Sequence, residues 1–135
     1  MLDVFLKVCS AGFMISFLLI SFLTSAKTID HNPWGKITHP TAHSSAQIYG
    51  SYTSGCILGG EALPEEGEGY KVVNTYRNRY YAHSSLTSMI KSWGQWSKEK
   101  KLGTLVVGDL SQPAGGPLTG AHRSHQIGLD VDLRL

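Results

Sequence analysis

Two histidines and two aspartates, His122, His125, Asp130 and Asp132, lie within eleven positions of one another near the end of the sequence. Imidazole nitrogen and carboxylate oxygen are ligands that Zn²⁺ accepts, and a catalytic zinc ion commonly takes three protein ligands. Apolar residues alternate with the two aspartates over positions 129–133, so a strand there would carry both carboxylates on one face. We therefore predict that both histidines and one aspartate converge on a single Zn²⁺ ion.

The same residues also have an ordinary structural interpretation. Histidines are common near turns, and aspartates that alternate along a strand usually form a solvated face. Spacing alone does not decide between the two interpretations, because two histidines and an aspartate within a short segment suggest a ligand set without closing it.

Three regular elements are expected to position this segment. Residues 70–73 and 104–107 are rich in β-branched or aromatic residues and lie beside glycines, which predicts two strands. Between them, apolar residues recur at helical spacing, which predicts a helix over 86–96 with Ser84 or Ser85 as its cap. The recurring residues are Leu86, Met89, Ile90, Trp93 and Trp96. This periodicity favours a core-facing stripe over a carbohydrate-stacking role for the two tryptophans.

The composition excludes several classes of protein. The 135 residues carry 12 Lys and Arg against 10 Asp and Glu, a formal net charge of +2, and 41% of them are hydrophobic. The small charge argues against a nucleic-acid or membrane-surface binder, and the hydrophobic content argues against disorder. Segments 30–60 and 108–117 are rich in turn-forming residues and are expected to be irregular, with short strands in the first.

The first 26 residues have the pattern of a secretory signal peptide. No charged residue occurs from Val8 to Ala26, and small residues end this stretch at a plausible cleavage point. A single membrane anchor is the alternative, although the 13-residue apolar run from Ala11 to Leu23 is short for a span. Cleavage would leave residues 27–135 as one domain with a single cysteine, Cys56, which is either a free thiol or half of a disulfide.

The segment Ser124–Asp132 resembles the zinc motif of the penicillin-insensitive murein endopeptidases, which belong to the hedgehog/D-Ala-D-Ala metallopeptidase group. In that group a ligand aspartate follows a ligand histidine by seven positions, as Asp132 follows His125. Further segments resemble the same family in the same order: Pro33–Thr38, Gly55–Ile57, Arg79–His83 and Gly108–Gly116. The resemblance therefore covers essentially the whole chain after the N-terminal segment.

The resemblance implies an α+β fold in which a small antiparallel sheet carries the metal ligands and the helix packs against it. It implies that His122, His125 and Asp132 bind Zn²⁺ and that Asp130 orients one of these ligands. For His83, which matches a family histidine outside the metal motif, a structural hydrogen bond is at least as strongly expected. The implied activity is cleavage of peptidoglycan cross-links in the periplasm, notably the D-alanyl–diaminopimelate bond, by activated water and not by a serine that penicillin acylates.

The chain departs from the family pattern after the metal motif. Family members continue with a His-x-His element, which supplies the last zinc ligand and an acid/base histidine, and with a cysteine that would pair with Cys56. In this sequence all six histidines lie at or before His125, and three residues follow Asp132. We therefore expect a truncated form of the family domain, with undetermined catalytic residues and with little or no release of muropeptides from sacculi.

Three interpretations stay open at the level of the sequence. The chain is a zinc-dependent murein endopeptidase, a non-catalytic remnant that binds metal or peptidoglycan without cleaving it, or a membrane-anchored structural protein whose histidines are incidental. Peptidoglycan peptides are the expected partner and nucleic acid is not. Contact with a membrane is expected only through the N-terminal segment, if that segment is not cleaved.

Overall fold

The computed structural model describes residues 33–118, 120 and 122–134. The chain divides into two units, Met1–His31 and Asn32–Leu135. The predicted signal peptide, residues 1–26, lies outside the described residues. Within the described ranges, no helix is both long enough and apolar enough to cross a membrane.

The described part of the chain forms short strands around one α-helix. In chain order the strands are β1 (Gln47–Ser51), β2 (Ser54–Leu58), β3 (Glu61–Ala62), β4 (Glu66–Gly67), β5 (Tyr70–Val72), β6 (Tyr81–Ala82), β7 (Leu105–Val107) and β8 (Leu133–Arg134). The helix, α1, spans Ser84–Glu99, and 3-10 turns occupy Trp34–Lys36 and Thr75–Arg77. The predicted α+β class is therefore confirmed, and the strands expected at 70–73 and 104–107 are β5 and β7.

The strands form three small sheets. β1 and β2 make an antiparallel hairpin, β3 pairs antiparallel with β6, and the largest sheet has the order β4-β5-β7-β8. In this sheet β5 and β7 are parallel, whereas the outer pairs are antiparallel. The parallel pair arises because α1 lies between these two strands in the chain, and parallel neighbours need such a crossover connection.

The core lies between α1 and the four-stranded sheet. Its buried members are Leu63, Tyr70, Val72, Ala82, Leu86, Ile90, Leu105, Val107 and Leu110. Val131 packs against this cluster from the segment that carries the two aspartates, so the candidate site is tied directly to the core.

Burial, assisted by a hydrogen bond with Tyr80, raises the pKa of the nearby Tyr81 to about 12 and keeps its phenol neutral.

The inner face of α1 differs from the predicted apolar stripe. Leu86 and Ile90 are buried as expected, but the inner face continues through two small residues, Gly94 and Ser97. Met89, Trp93 and Trp96, expected in the core, are 43%, 38% and 54% exposed. The small residues let the helix backbone approach the sheet closely, and this approach turns the neighbouring tryptophan positions outwards.

The two tryptophans instead line an open groove of about 350 Å³ beside the sheet. Leu102, Leu105 and Leu133 complete its apolar lining. Trp96, Leu102 and Leu133 are each at least 40% exposed, so this is a surface feature and not an extension of the core.

The close approach of helix and sheet can be tested by substituting Gly94. Replacing a helix-interior glycine with alanine normally stabilises a helix by about 1 kcal/mol. Here the added Cβ would collide with the backbone oxygen of Glu68 and lie 3.0 Å from Cδ1 of Tyr70. We expect Gly94→Ala to lower the free energy of unfolding by about 1–3 kcal/mol, because overpacking outweighs helix propensity.

The measurement is chemical denaturation, with Ser88→Ala as the control. Ser88 is exposed on the same helix, so its replacement should leave stability within about 0.5 kcal/mol of the parent chain. A Gly94→Ala chain as stable as the Ser88→Ala chain would contradict the packing described above.

Candidate metal centre

The structure brings His122, His125 and Asp132 together. One potential ligand atom from each residue lies within 4.8 Å of the others. Nε2 of His125 is 3.6 Å from Oδ1 of Asp132, and Nε2 of His122 is 4.0 Å from Oδ2 of the same carboxylate. The two imidazole rings meet edge to face, with their centroids 5.1 Å apart. The three residues predicted as ligands therefore face a common point.

Asp130 lies on the other side of the His125 ring. Its Oδ2 is 2.9 Å from Nδ1 of His125, and the His125 backbone N–H donates to both carboxylate oxygens at 3.1 and 3.0 Å. A carboxylate only accepts hydrogen bonds, so Nδ1 carries the proton in this contact. In the neutral ring the lone pair of Nε2 then faces Asp132, and imidazole binds a metal in this neutral form.

His125 is held in an unusual backbone conformation. Its φ is +66°, in the left-handed region that residues with a β-carbon seldom adopt, and only 2% of the residue is exposed. The bonds from its backbone N–H to Asp130 help to hold this conformation. One carboxylate therefore fixes both the ring orientation and the main chain of His125.

Asp132 is held by the end of the four-stranded sheet. Its backbone N–H donates to the carbonyl of Asp109 at 3.0 Å, and its own carbonyl accepts from the N–H of Gly108 at 2.7 Å. A side chain at position 108 would crowd it, since an added Cβ there would lie 3.0 Å from the Cβ of Asp132. The regular strand β8 begins at Leu133, so the prediction of a strand over 129–133 that carries both aspartates is wrong: both aspartates precede β8 and lie in irregular backbone.

The segment that pairs with Asp132 is fixed by a buried ion pair. Asp109 is 4% exposed, and its Oδ2 is 2.9 Å from Nη1 of Arg79 and 3.4 Å from Nη1 of Arg77. Arg79 also accepts a backbone hydrogen bond from Leu110 at 2.9 Å. Breaking a buried pair by removing one partner is costly, so this contact anchors the strand end to which Asp132 is bonded.

The donor set suits Zn²⁺. Two imidazole nitrogens and a carboxylate oxygen match the ligands of catalytic zinc sites, in which two donors on one tetrahedral ion lie about 3.4 Å apart. The separations of 3.6 and 4.0 Å are slightly wider and too long for direct hydrogen bonds. The side chains of His122 and Asp132 are 42% and 47% exposed, so the group is open to solvent on one side.

His83 has a structural position outside this group. Its Nδ1 accepts from the backbone N–H of Ser85 at 3.2 Å and lies 2.8 Å from the hydroxyl oxygen of Ser85, which makes His83 the N-cap of α1. The cap predicted at Ser84 or Ser85 therefore falls one or two residues earlier. The backbone N–H of His83 also donates to Gly128 at 2.9 Å and joins the helix start to the ligand-bearing loop.

Two features that hold the site in place, an ion pair and a buried glutamine, could not be predicted from the sequence. Arg79 and Asp109 are thirty residues apart, and no local pattern signals their ion pair. Gln126 stands inside the metal motif, but glutamine is usually exposed, and its sequence position did not reveal that it is buried. Cys56 is half-buried in β2 and forms no disulfide within the described residues, so its predicted pairing stays a prediction.

Comparison with known proteins identifies the family. Residues 48–135 match the model of the family described as penicillin-insensitive murein endopeptidase. Curated relatives with that name occur in Salmonella paratyphi C (strain RKS4594), Salmonella newport (strain SL254) and Salmonella heidelberg (strain SL476). Each is 40% identical over 117 residues, which cover 87% of this chain and 42% of the relative. The chain belongs to the penicillin-insensitive murein endopeptidase family, as its motifs predicted, and spans less than half the length of these relatives.

The geometry predicts that zinc binding depends on His125. We expect the purified protein to bind one equivalent of Zn²⁺ and His125→Ala to lose it, because Nε2 of His125 is central to the donor group. Asp130→Asn should bind zinc roughly 10–100-fold more weakly, the usual effect of altering a partner that orients a ligand.

Zinc content and affinity are measured by competition with a chromophoric chelator. His39→Ala is the control, since His39 is exposed and lies outside the donor group. Equal zinc content in the wild-type and His125→Ala proteins would rule out this site.

Proposed function

We propose that the protein is a zinc-dependent peptidoglycan endopeptidase that cleaves the D-alanyl–diaminopimelate cross-link. The observation that carries the proposal is the placement of His125 between two carboxylates, with Asp130 at Nδ1 and Asp132 facing Nε2. A histidine that only stabilised the fold would not need a second histidine and a carboxylate in front of its Nε2. The murein endopeptidase name of the Salmonella relatives supports the same substrate class.

Three side chains would hold the metal: His122, His125 through Nε2, and Asp132. Bound there, zinc supplies Lewis acidity, which polarises a peptide carbonyl and makes water a competent nucleophile at neutral pH. Asp130 keeps the proton on Nδ1 of His125 and increases the basicity of the ligating nitrogen. The exposed side of His122 and Asp132 leaves the donor group accessible to an extended peptide bridge.

This chemistry accounts for insensitivity to penicillin. A β-lactam inactivates a cell-wall enzyme by acylating its nucleophilic serine, whereas an enzyme whose nucleophile is water offers no such residue. The proposed location is the periplasm, where the cross-links lie. The uncharged stretch from Val8 to Ala26 supports export.

The activity is tested on purified sacculi. The sequence alone predicts little or no release, whereas the three-residue donor group supports activity. On the proposed function the zinc-loaded protein should therefore release monomeric muropeptides and create free amino groups on diaminopimelate, and a chelator should abolish this release until zinc is restored. Asp132→Asn removes a charged ligand, so its loss of activity should exceed the roughly 10–100-fold effect of altering an outer partner.

Glu99→Gln makes the same carboxylate-to-amide change at an exposed position of α1 and should retain full activity. Release that persists in chelator would contradict the metal mechanism. Zinc-dependent binding to sacculi without any bond cleavage would identify a peptidoglycan-binding protein instead and would overturn the proposed activity.

A further inference from the structure

Gln126 follows His125 in the loop of residues 122–128, here called the donor loop. It is only 4% exposed, and its amide makes three hydrogen bonds. Oε1 accepts from the backbone N–H of Gly55 at 3.2 Å, while Nε2 donates to the carbonyls of Thr53 and Arg123 at 3.0 and 2.9 Å. The amide orientation is unambiguous, because one end meets a donor and the other meets two acceptors.

These bonds join the donor loop to the β1–β2 hairpin. Thr53 lies in the hairpin turn and Gly55 lies in β2, more than seventy residues away from Gln126 in the chain. The main chain of Gln126 adds two contacts: its N–H donates to the carbonyl of Tyr52 at 3.4 Å, and its carbonyl accepts from Gly116 at 3.0 Å. A single residue therefore docks the donor loop onto two other parts of the fold.

The bond from Gln126 to Arg123 acts within the donor loop itself. Arg123 lies between His122 and His125, so this contact closes the chain into a turn at the point where the two imidazoles must be brought together. The donor loop contains no helix or strand among its described residues. Its shape therefore depends on side-chain contacts. These contacts must also hold His125 at a positive φ, which is an unfavourable backbone conformation for a residue with a β-carbon.

We propose that Gln126 is a positioning residue for the metal centre: it holds the donor loop against the tip of the β1–β2 hairpin and thereby fixes the spacing of His122 and His125. Its importance for metal binding rests on the proposed function. Its effect on the shape of the loop does not, and each can be measured separately.

Gln112 offers a matched control. It is also buried, at 7% exposure, and its Nε2 donates to the carbonyls of Gly115 and Pro117 at 2.8 and 3.0 Å. Both glutamines thus hold irregular backbone through a buried amide. The acceptors of Gln112, however, all belong to its own loop, which contacts Gln126 through the backbone N–H of Gly116 and not through the Gln112 amide. The Gln126 amide, by contrast, links the donor loop directly to the hairpin.

The experiment compares Gln126→Met with Gln112→Met in the full chain. Methionine keeps the length of the side chain and removes its hydrogen bonds. We expect Gln126→Met to raise the Kd for Zn²⁺ by roughly 10–100-fold and Gln112→Met to change it by less than about threefold, with melting temperatures recorded for both. Gln126→Glu is the second variant: it keeps the acceptor for Gly55 but turns a buried carboxylate oxygen towards the carbonyls of Thr53 and Arg123, so it should weaken zinc binding at least as much.

A second measurement uses metal-free protein. Hydrogen exchange at the Gly55 amide should accelerate strongly in Gln126→Met and remain unchanged in Gln112→Met. Equal changes in zinc affinity for the two variants, or wild-type affinity in Gln126→Met, would overturn the inference. If the wild-type protein binds no zinc, the proposed function fails alone, and unchanged protection of Gly55 in Gln126→Met would then overturn the positioning role as well.

Discussion

The candidate site depends on the contact between the Asp130 carboxylate and His125. This one group accepts from the backbone N–H of His125 and lies 2.9 Å from its Nδ1. The contact stabilises a left-handed backbone conformation, keeps a proton on Nδ1 of the ring, and directs Nε2 towards Asp132. Without it, a buried imidazole would have an unpaired nitrogen and a freely chosen tautomer, and His122 and Asp132 would not face a defined ligand.

The rest of the fold supplies rigid attachment for this contact. The main chain of Asp132 is hydrogen-bonded to Gly108 and Asp109, which directly follow β7. The Asp109 carboxylate is held by an ion pair with Arg79. Val131 packs on the core between the two aspartates, and Gly128 joins the donor loop to the start of α1. The donors therefore come from irregular backbone, but each is attached within a few residues to a strand, a helix or the core.

The sequence was informative where a signal is local. The strands β5 and β7, the helix and the candidate donor residues follow from β-branched or aromatic runs, helical periodicity and ligand chemistry within short windows. The exposure of Trp93 and Trp96 could not be predicted in this way, because it depends on how closely Gly94 lets the helix approach Glu68 and Tyr70. The cap at His83 was missed because imidazole is an uncommon cap, while two serines, which are preferred at that position, follow it.

The supports of the site were the hardest features to predict. The Arg79–Asp109 ion pair and the contacts of Gln126 with the hairpin join residues 30 to 73 positions apart. Such contacts have no periodicity, and each consists of a polar residue type that is normally exposed. The sequence therefore indicates which atoms could bind a metal, whereas the three-dimensional contacts determine whether those atoms are held in place.

The most direct test of the account is diffraction from zinc-soaked crystals at energies on either side of the zinc absorption edge. We expect one anomalous peak about 2.0–2.2 Å from Nε2 of His125 and from donor atoms of His122 and Asp132, with Asp130 still at Nδ1. No peak at this position, or a zinc ion bound through Nδ1 of His125, would contradict it.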